Sequence, residues 1–469
     1  MTFNRLAVTL LFTTIAAAAC LMPAQSDTYW LLRAGQEMWQ SGRLLYRDTF
    51  SHTMYGHYWS NHEWLTEVVF YAAYQVGGMA GIALLCASTV TVGWIFAWRL
   101  MRGTTILRTV LIAGAMTCAA TLWSLRPQAI SLGFVGLTAW LIATRRYKWI
   151  PFVFVGWANF HGAALLGIVM ICGAAAGAIR YDRDAARRLL LVLPFAALAM
   201  CATPLGISWW PAIVVSLQRI GGLGISEWGP PGFTSLHDLP FWAVAAGLIV
   251  FGWHRRQTMS AEDAVVAGMA FALFPLGVQA GRNMSPFLLV ALPALTRLLP
   301  DRVVRWELGV ARRPASVAHT YVAYASVAVA VLAVTMSWTS PAQRLGWKPL
   351  PDAVVEAVNA CPPNLYHRYD HGGYFTWFTP QQRVFLDGRQ DPFPVELIVE
   401  HRARELAGDY RDLFDKFGIR CAALPTSSLV AANLQRDGWQ QRARVDGWVV
   451  LSRSDQAAST ALHQRGVSR

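Results

Sequence analysis

The sequence predicts an all-α polytopic membrane domain of about eleven transmembrane helices, followed by a small α/β extracytoplasmic domain. Three observations carry this expectation. Of 469 residues, 55% are hydrophobic and only 14% charged, whereas soluble domains carry about 25% charged residues. Apolar runs long enough to cross a bilayer recur as far as residue 338. Beyond residue 340 the composition changes to balanced charge with turn pairs. The mean hydropathy of +0.34 agrees. With 21 Trp, 14 Tyr and 22 Phe, the chain is too aromatic to stay unfolded. A net charge of +13 would suit a nucleic-acid partner, but the apolar content argues against one. The seven cysteines show no CxxC or His/Cys spacing, so neither a zinc site nor a dense disulfide framework is implied.

Candidate spans fall at roughly 6–25, 78–98, 105–123, 128–144, 149–160, 162–179, 189–206, 240–253, 263–280, 284–300 and 317–338. Basic clusters set the orientation. Arg99/Arg102, Arg145/Arg146/Lys148, Arg180/Arg183/Arg187/Arg188, Arg255/Arg256 and Arg302/Arg305/Arg312/Arg313 each follow an even-numbered span. With Arg5 they define a cytoplasmic side that holds nearly all of the positive surplus, and the N-terminus lies on it. The fifth span, 149–160, is short enough to be a half-length or re-entrant helix. Ala18-Ala19-Cys20 resembles a lipoprotein signal, but an uncleaved first helix is the expectation. This makes the chain a multi-pass membrane protein with membrane lipids as partners.

The domain division follows. Residues 1–340 form the membrane domain, with a long first outer loop at 26–77; 341–456 form the extracytoplasmic domain, and 457–469 a tail. In the second domain, β-like runs (Asn364–Tyr369, Arg383–Leu386, Cys421–Leu424, Trp448–Leu451) alternate with helical stretches at 351–360, 394–417 and 427–436. Cys361 and Cys421 read either as a periplasmic disulfide or as two buried free thiols.

The chemistry-bearing residues gather on the outer connections. Ionisable groups at span ends are costly in hydrocarbon and point to function. Asp27 directly follows the first helix; it reads either as the N-cap of a helix over 28–40 or as an acid at the membrane surface. Glu63 precedes a helix over 64–76 and reads as a helix-start anion or a functional acid. Both helices are expected to lie in the interface. Asp48 reads as a solvated turn residue or a ligand-binding acid. Arg126, Asn159, His161, Glu227 and Arg282 return to the same level on separate connections. The arginines suit an anionic ligand such as a lipid phosphate. For His161 the bland alternative is a satisfied interhelical hydrogen bond. Asp387-Gly388-Arg389-Gln390-Asp391 reads as a ligand loop or a buried Asp–Arg turn network.

These residues resemble a family. The pattern Asp27-x-x-Trp30, Gly35, Gly42, Asp48-x-Phe50-Ser51, Gly56-x-x-Trp59 and His62-Glu63-Trp64-Leu65 looks like bacterial GT-C-fold membrane glycosyltransferases and their uncharacterised relatives. So do Arg126-Pro127-Gln128, Asn159-x-His161-Gly162 and the distal Gly372-Gly373-Tyr374 with Phe385-x-Asp387-Gly388-Arg389-x-Asp391. The resemblance implies transfer of a sugar from a polyprenyl-phosphate donor to an acceptor on the outer face, with inversion. It implies Asp27 as base or metal-associated acid, Glu63 as the second loop acid, and Arg126 and Arg282 on the donor phosphate. Any divalent metal would sit at Asp27 and Glu63. Two positions depart from the family: Ser26-Asp27 replaces the usual paired acids, and His62-Glu63-Trp64-Leu65 replaces a His-x-Pro-x-Leu motif. The alternative is a non-catalytic envelope protein, transporter or scaffold. A transporter is expected to show repeats or polar groups at mid-span depth, and the sequence has neither.

Overall fold

The computed structural model describes residues 1–220, 226–306, 309–312, 314–339 and 345–453. Arg313 and the tail expected at 457–469 lie outside the described residues. The chain forms two compact units: Met1–Pro23 with Ala72–Leu345, and Ala24–Tyr71 with the residues from Gly346 onward. Most of the loop assigned above to the membrane domain thus belongs with the C-terminal residues.

The first unit is helical. Every expected span coincides with a helix: Phe3–Cys20, Trp64–Leu100, Thr105–Ala119, Pro127–Ala143, Ile150–Phe160, Leu165–Ala178, Arg183–Ala199, Leu239–Arg255, Ala261–Gln279, Met284–Leu298 and Val317–Thr339. A further helix, Trp209–Ile220, was not expected. Five of the described helices are long and apolar enough to cross a membrane by themselves. The expected elements 64–76 and 78–98 are two helical stretches within Trp64–Leu100, separated by a kink at Gly77 and Gly78, both of which leave helical backbone angles, with φ at Gly78 +59°. Only glycine takes that value without strain.

Small residues let two of these helices touch backbone to backbone. A Cβ on Gly173 would overlap the Gly268 carbonyl, and one on Gly177 would overlap that of Ala264. This spacing of small residues every fourth position is how helices associate where lipid supplies no hydrophobic drive between them.

The second unit holds a four-stranded sheet. Its strands are β1 (Leu365–Tyr366), β2 (Cys421–Pro425), β3 (Gln440–Val445) and β4 (Trp448–Ser452), in the order β1-β2-β4-β3. β1 runs parallel to β2, and the other pairs are antiparallel. Helices Asp352–Asn359, Gly372–Phe378, Val395–Ala407, Arg411–Phe417 and Leu429–Arg436 surround it. Two strand expectations need correction. Arg383–Leu386 is not a strand; only Val384 bridges, to Ser51 in the first loop. β3 was missed because its side chains are mostly exposed and its apolar alternation is confined to Ala443 and Val445. Cys361 and Cys421 are joined by a disulfide, which settles the alternative left open by their sequence.

Helix Ser26–Ser41 also departs from expectation. It is not a surface helix: Leu31, Leu32 and Ala34 are fully buried. It packs with helix Gly372–Phe378, where Gly373 N–H donates to Ser26 Oγ at 2.9 Å and Tyr29 stacks edge-on against Tyr374.

Candidate functional site

In the first unit the structure brings Arg126, Glu227 and Arg282 together. Arg126 is extended, with φ −141°, because Pro127 follows it and opens helix Pro127–Ala143. Glu227 and Arg282 lie on short 3-10 turns, Ser226–Trp228 and Gly281–Asn283, which are linked by Gly281 N–H to the Gly229 carbonyl at 2.9 Å. Arg126 Nη1 meets Glu227 Oε2 at 2.9 Å, and Arg282 Nη1 meets Oε1 at 3.3 Å. Arg282 also lies 4.3 Å over the Trp228 ring. With its amide oxygen turned toward them, Gln128 accepts from Arg282 at 2.5 Å and from Arg126 at 3.3 Å. Burial alone would push the Glu227 carboxyl up, but the two guanidinium groups hold it below the usual range. Both guanidinium groups meet the one Glu227 carboxylate, and guanidinium groups are suited to binding an oxyanion.

Asn159 and His161 occupy the end of helix Ile150–Phe160 and are each 7% exposed. Asn159 Nδ2 donates to the Val155 and Ala202 carbonyls at 2.7 and 2.9 Å. His161 Nδ1 lies 2.8 Å from Ser131 Oγ, which also accepts from Trp157 Nε1 at 2.9 Å. The bonds to Ser131 run between helices, as expected for a lone polar residue there, whereas Asn159 bonds back to its own helix at Val155 and across to the loop carbonyl of Ala202.

In the second unit Asp27 sits in the first turn of helix Ser26–Ser41. It is not the N-cap; Gln25 is, and its N–H donates to Thr28 Oγ1 at 3.0 Å. An acid in the first turn still meets the positive end of the helix dipole. Asp27 Oδ1 accepts from Trp30 Nε1 at 3.1 Å. A Cβ on Gly388 would overlap that same oxygen, and a Cβ on Gly373 would overlap the Ser26 carbonyl. The distal Gly372-Gly373 and Asp387-Gly388-Arg389 motifs thus cradle the start of this helix. Burial raises the Tyr374 phenol, and the Asp27 and Asp370 charges raise it further.

Asp48 is not a solvated turn residue. Its side chain is 0% exposed, and its oxygens accept from Phe50 N–H at 3.0 Å, Arg389 Nη2 at 2.6 Å and the Ser51 hydroxyl. Arg389 reaches Asp387 through Nε at 2.8 Å and Nη2 at 2.7 Å, and lies over Phe50 and Trp59 at 4.7 and 4.8 Å. The Asp387–Arg389 segment is therefore the buried network rather than the ligand loop. Burial raises the Asp48 carboxyl, but Arg389 and Ser51 outweigh it and hold it low.

Glu63 faces His62, with Oε1 3.8 Å from Nε2. His62 Nδ1 lies 3.3 Å from Asp391 Oδ2, which also accepts from Ser60 Oγ at 2.9 Å. Burial would lower His62, but the bond to Asp391 and the charges of Asp391 and Glu63 raise it to about 9. His62 and Asp391 lie 329 positions apart, so no local pattern pairs them. Glu67 was also missed: it is fully buried, and its Oε2 accepts from Asn61 Nδ2 at 2.8 Å. Among the described residues, no group of three or more His, Cys, Asp or Glu is placed to hold a metal ion.

No protein-family model matches the chain, and no curated protein matches it. Among solved structures the chain is similar to ArnT from Cupriavidus metallidurans in the apo state. The identity is 14%, the TM-score 0.50, and the match covers 94% of this chain and 96% of that one. At that identity the likeness speaks for the fold: this is a multi-pass membrane protein of the GT-C fold.

Proposed function

We propose that this protein is a membrane glycosyltransferase moving a sugar from a polyprenyl-phosphate donor to an acceptor hydroxyl on the outer face of the bacterial inner membrane. The supporting observation is the Arg126–Glu227–Arg282 cluster, in which two guanidinium groups share one carboxylate. In this reading the chain crosses the membrane eleven times, with its N-terminus cytoplasmic and its C-terminal residues periplasmic.

Asp27 takes the proton of the acceptor hydroxyl. The oxygen attacks the anomeric carbon from the face opposite the phosphate, and the carbon–oxygen bond to the phosphate breaks. The bonding pair leaves with the lipid phosphate, whose growing charge Arg126 and Arg282 stabilise. The sugar is inverted. Glu63, Asn159 and His161 orient sugar or acceptor groups.

Incubation of the purified protein with labelled polyprenyl-phosphate sugars tests the reading. Wild type releases lipid phosphate, and Asp27→Asn abolishes release with expression intact. Wild-type activity in that variant would sink Asp27 as the base. Absence of release from wild type across a donor panel would sink the transferase reading itself.

A further inference from the structure

Helix Pro127–Ala143 ends in a backbone arrangement that glycine normally supplies. Arg145 has φ +57°, its N–H donates to the Ile142 carbonyl at 3.1 Å, and Arg146 N–H donates to Leu141 at 2.8 Å. This pair of bonds is a Schellman cap, in which the left-handed position is usually glycine. An arginine there is strained relative to glycine. The cap folds the chain back so that Arg146 lies 4.8 Å over the Trp140 ring. Two residues on, Lys148 lies 5.6 Å from the Trp149 ring.

Two neighbouring cations are paired: Arg145 with Asp182 at 2.9 Å and Arg188 with Asp184 at 2.8 Å. Among the described residues, Arg146 and Lys148 have aromatic faces and no carboxylate. Arg146 lines a groove of about 410 Å³ with Leu137, Trp140 and Leu141 from one helix, Trp149 from the connecting turn, and Phe152 and Val153 from the next helix, and Lys148 reaches its edge through the Trp149 ring. Its volume lies within the range of small-molecule sites, about 300–1,000 Å³. Trp149 and Phe152 are 49% and 69% exposed, on helices that cross or enter the membrane. An apolar groove capped by two cations at a membrane interface matches one ligand in charge and in shape.

We propose that this groove binds an anionic phospholipid, with the headgroup phosphate on Arg146 and Lys148 and an acyl chain between Trp140 and Phe152. Such pockets between helices on the basic side of a membrane suit anionic headgroups. The proposal is independent of the transfer reaction.

Native mass spectrometry of the full-length protein in detergent tests it, with dioleoylphosphatidylglycerol, dioleoylphosphatidylcholine and inorganic phosphate as separate probes. At about 1 kcal/mol per surface cation, two cations favour the anionic lipid by roughly thirtyfold. The double substitution Arg146→Gln/Lys148→Gln is expected to remove that preference. Val153→Trp keeps both charges but fills the groove, and is expected to lower phosphatidylglycerol binding at least tenfold. Arg187→Gln/Arg188→Gln, on the adjacent basic run, is expected to change neither. Equal binding of the two lipids would overturn the proposal, as would a preference that survives both groove variants. Binding of inorganic phosphate as tight as that of phosphatidylglycerol would overturn it in favour of a free-anion site.

Discussion

Arg389 Nη2 lies 2.6 Å from Asp48 Oδ1, across 341 positions of sequence, with both side chains fully buried. Breaking a buried pair from one side strands a charge and costs about 3–5 kcal/mol. Arg389→Met removes the guanidinium that serves both Asp48 and Asp387 and is expected to destabilise the second unit by that amount. Asp48→Asn leaves the Asp387 contact in place and should cost less. Hydrogen exchange of the full chain reads this directly, as faster exchange at residues 44–59 and 383–389. Unchanged protection in Arg389→Met would show the network to be dispensable.

Two sets of histidines make stability of the second unit depend on pH from opposite sides. His62 is raised to about 9, above its ordinary value. Its contribution is full below about 6.5 and is lost as pH rises through about 9. Burial lowers His367 to about 3 and His401, His52 and His371 to about 4. Each then contributes above about 6.5, and the contribution is lost as pH falls through those values. Protection of residues 58–66, corrected for intrinsic exchange, should weaken between pH 7.5 and 9.5 in wild type but not in His62→Gln. Protection around 365–371 should weaken from pH 6 to 4. A flat profile on either limb removes the corresponding histidine from the stability argument.

The helices of the first unit were legible because hydrophobicity is a local property. Arg126, Glu227 and Arg282 were legible as span-end charges, though not as one cluster with Gln128. The second unit was less so. Asp48 reads as a turn residue because Arg47-Asp48-Thr49 is polar, and only a partner 341 positions away buries it. The cradle of Asp27 is invisible for the same reason: Gly373 and Gly388 meet Ser26 and Asp27 across most of the chain. Hydrophobic periodicity shows which residues are inside but not what they touch.

The Cys361–Cys421 bridge closes a loop of 60 residues. By the loop-entropy estimate, constraining the unfolded chain over that length contributes about 4 kcal/mol. Cys361→Ser/Cys421→Ser, or wild type with dithiothreitol, should melt at lower temperature, the reductant having no effect on the double variant. Equal melting of reduced and oxidised wild type would show the bridge to be neutral.

The two glycines of the cradle separate fold from chemistry. A methyl on Gly373 meets the Ser26 backbone carbonyl, which cannot move without the helix, so Gly373→Ala should destabilise by about 1–3 kcal/mol through overpacking. The nearest atoms a methyl on Gly388 meets are the end of the Asp27 side chain and, at 3.4 Å, Trp30 Nε1. Gly388→Ala can be accommodated by turning the Asp27 carboxylate, which leaves melting close to wild type. A displacement of about 1 Å at a reacting group costs on the order of a hundredfold in rate. Transfer activity should therefore fall by that order in Gly388→Ala while the melting temperature holds. If activity instead tracks stability in both variants, the position of the Asp27 carboxylate has no catalytic consequence and the base must be sought elsewhere.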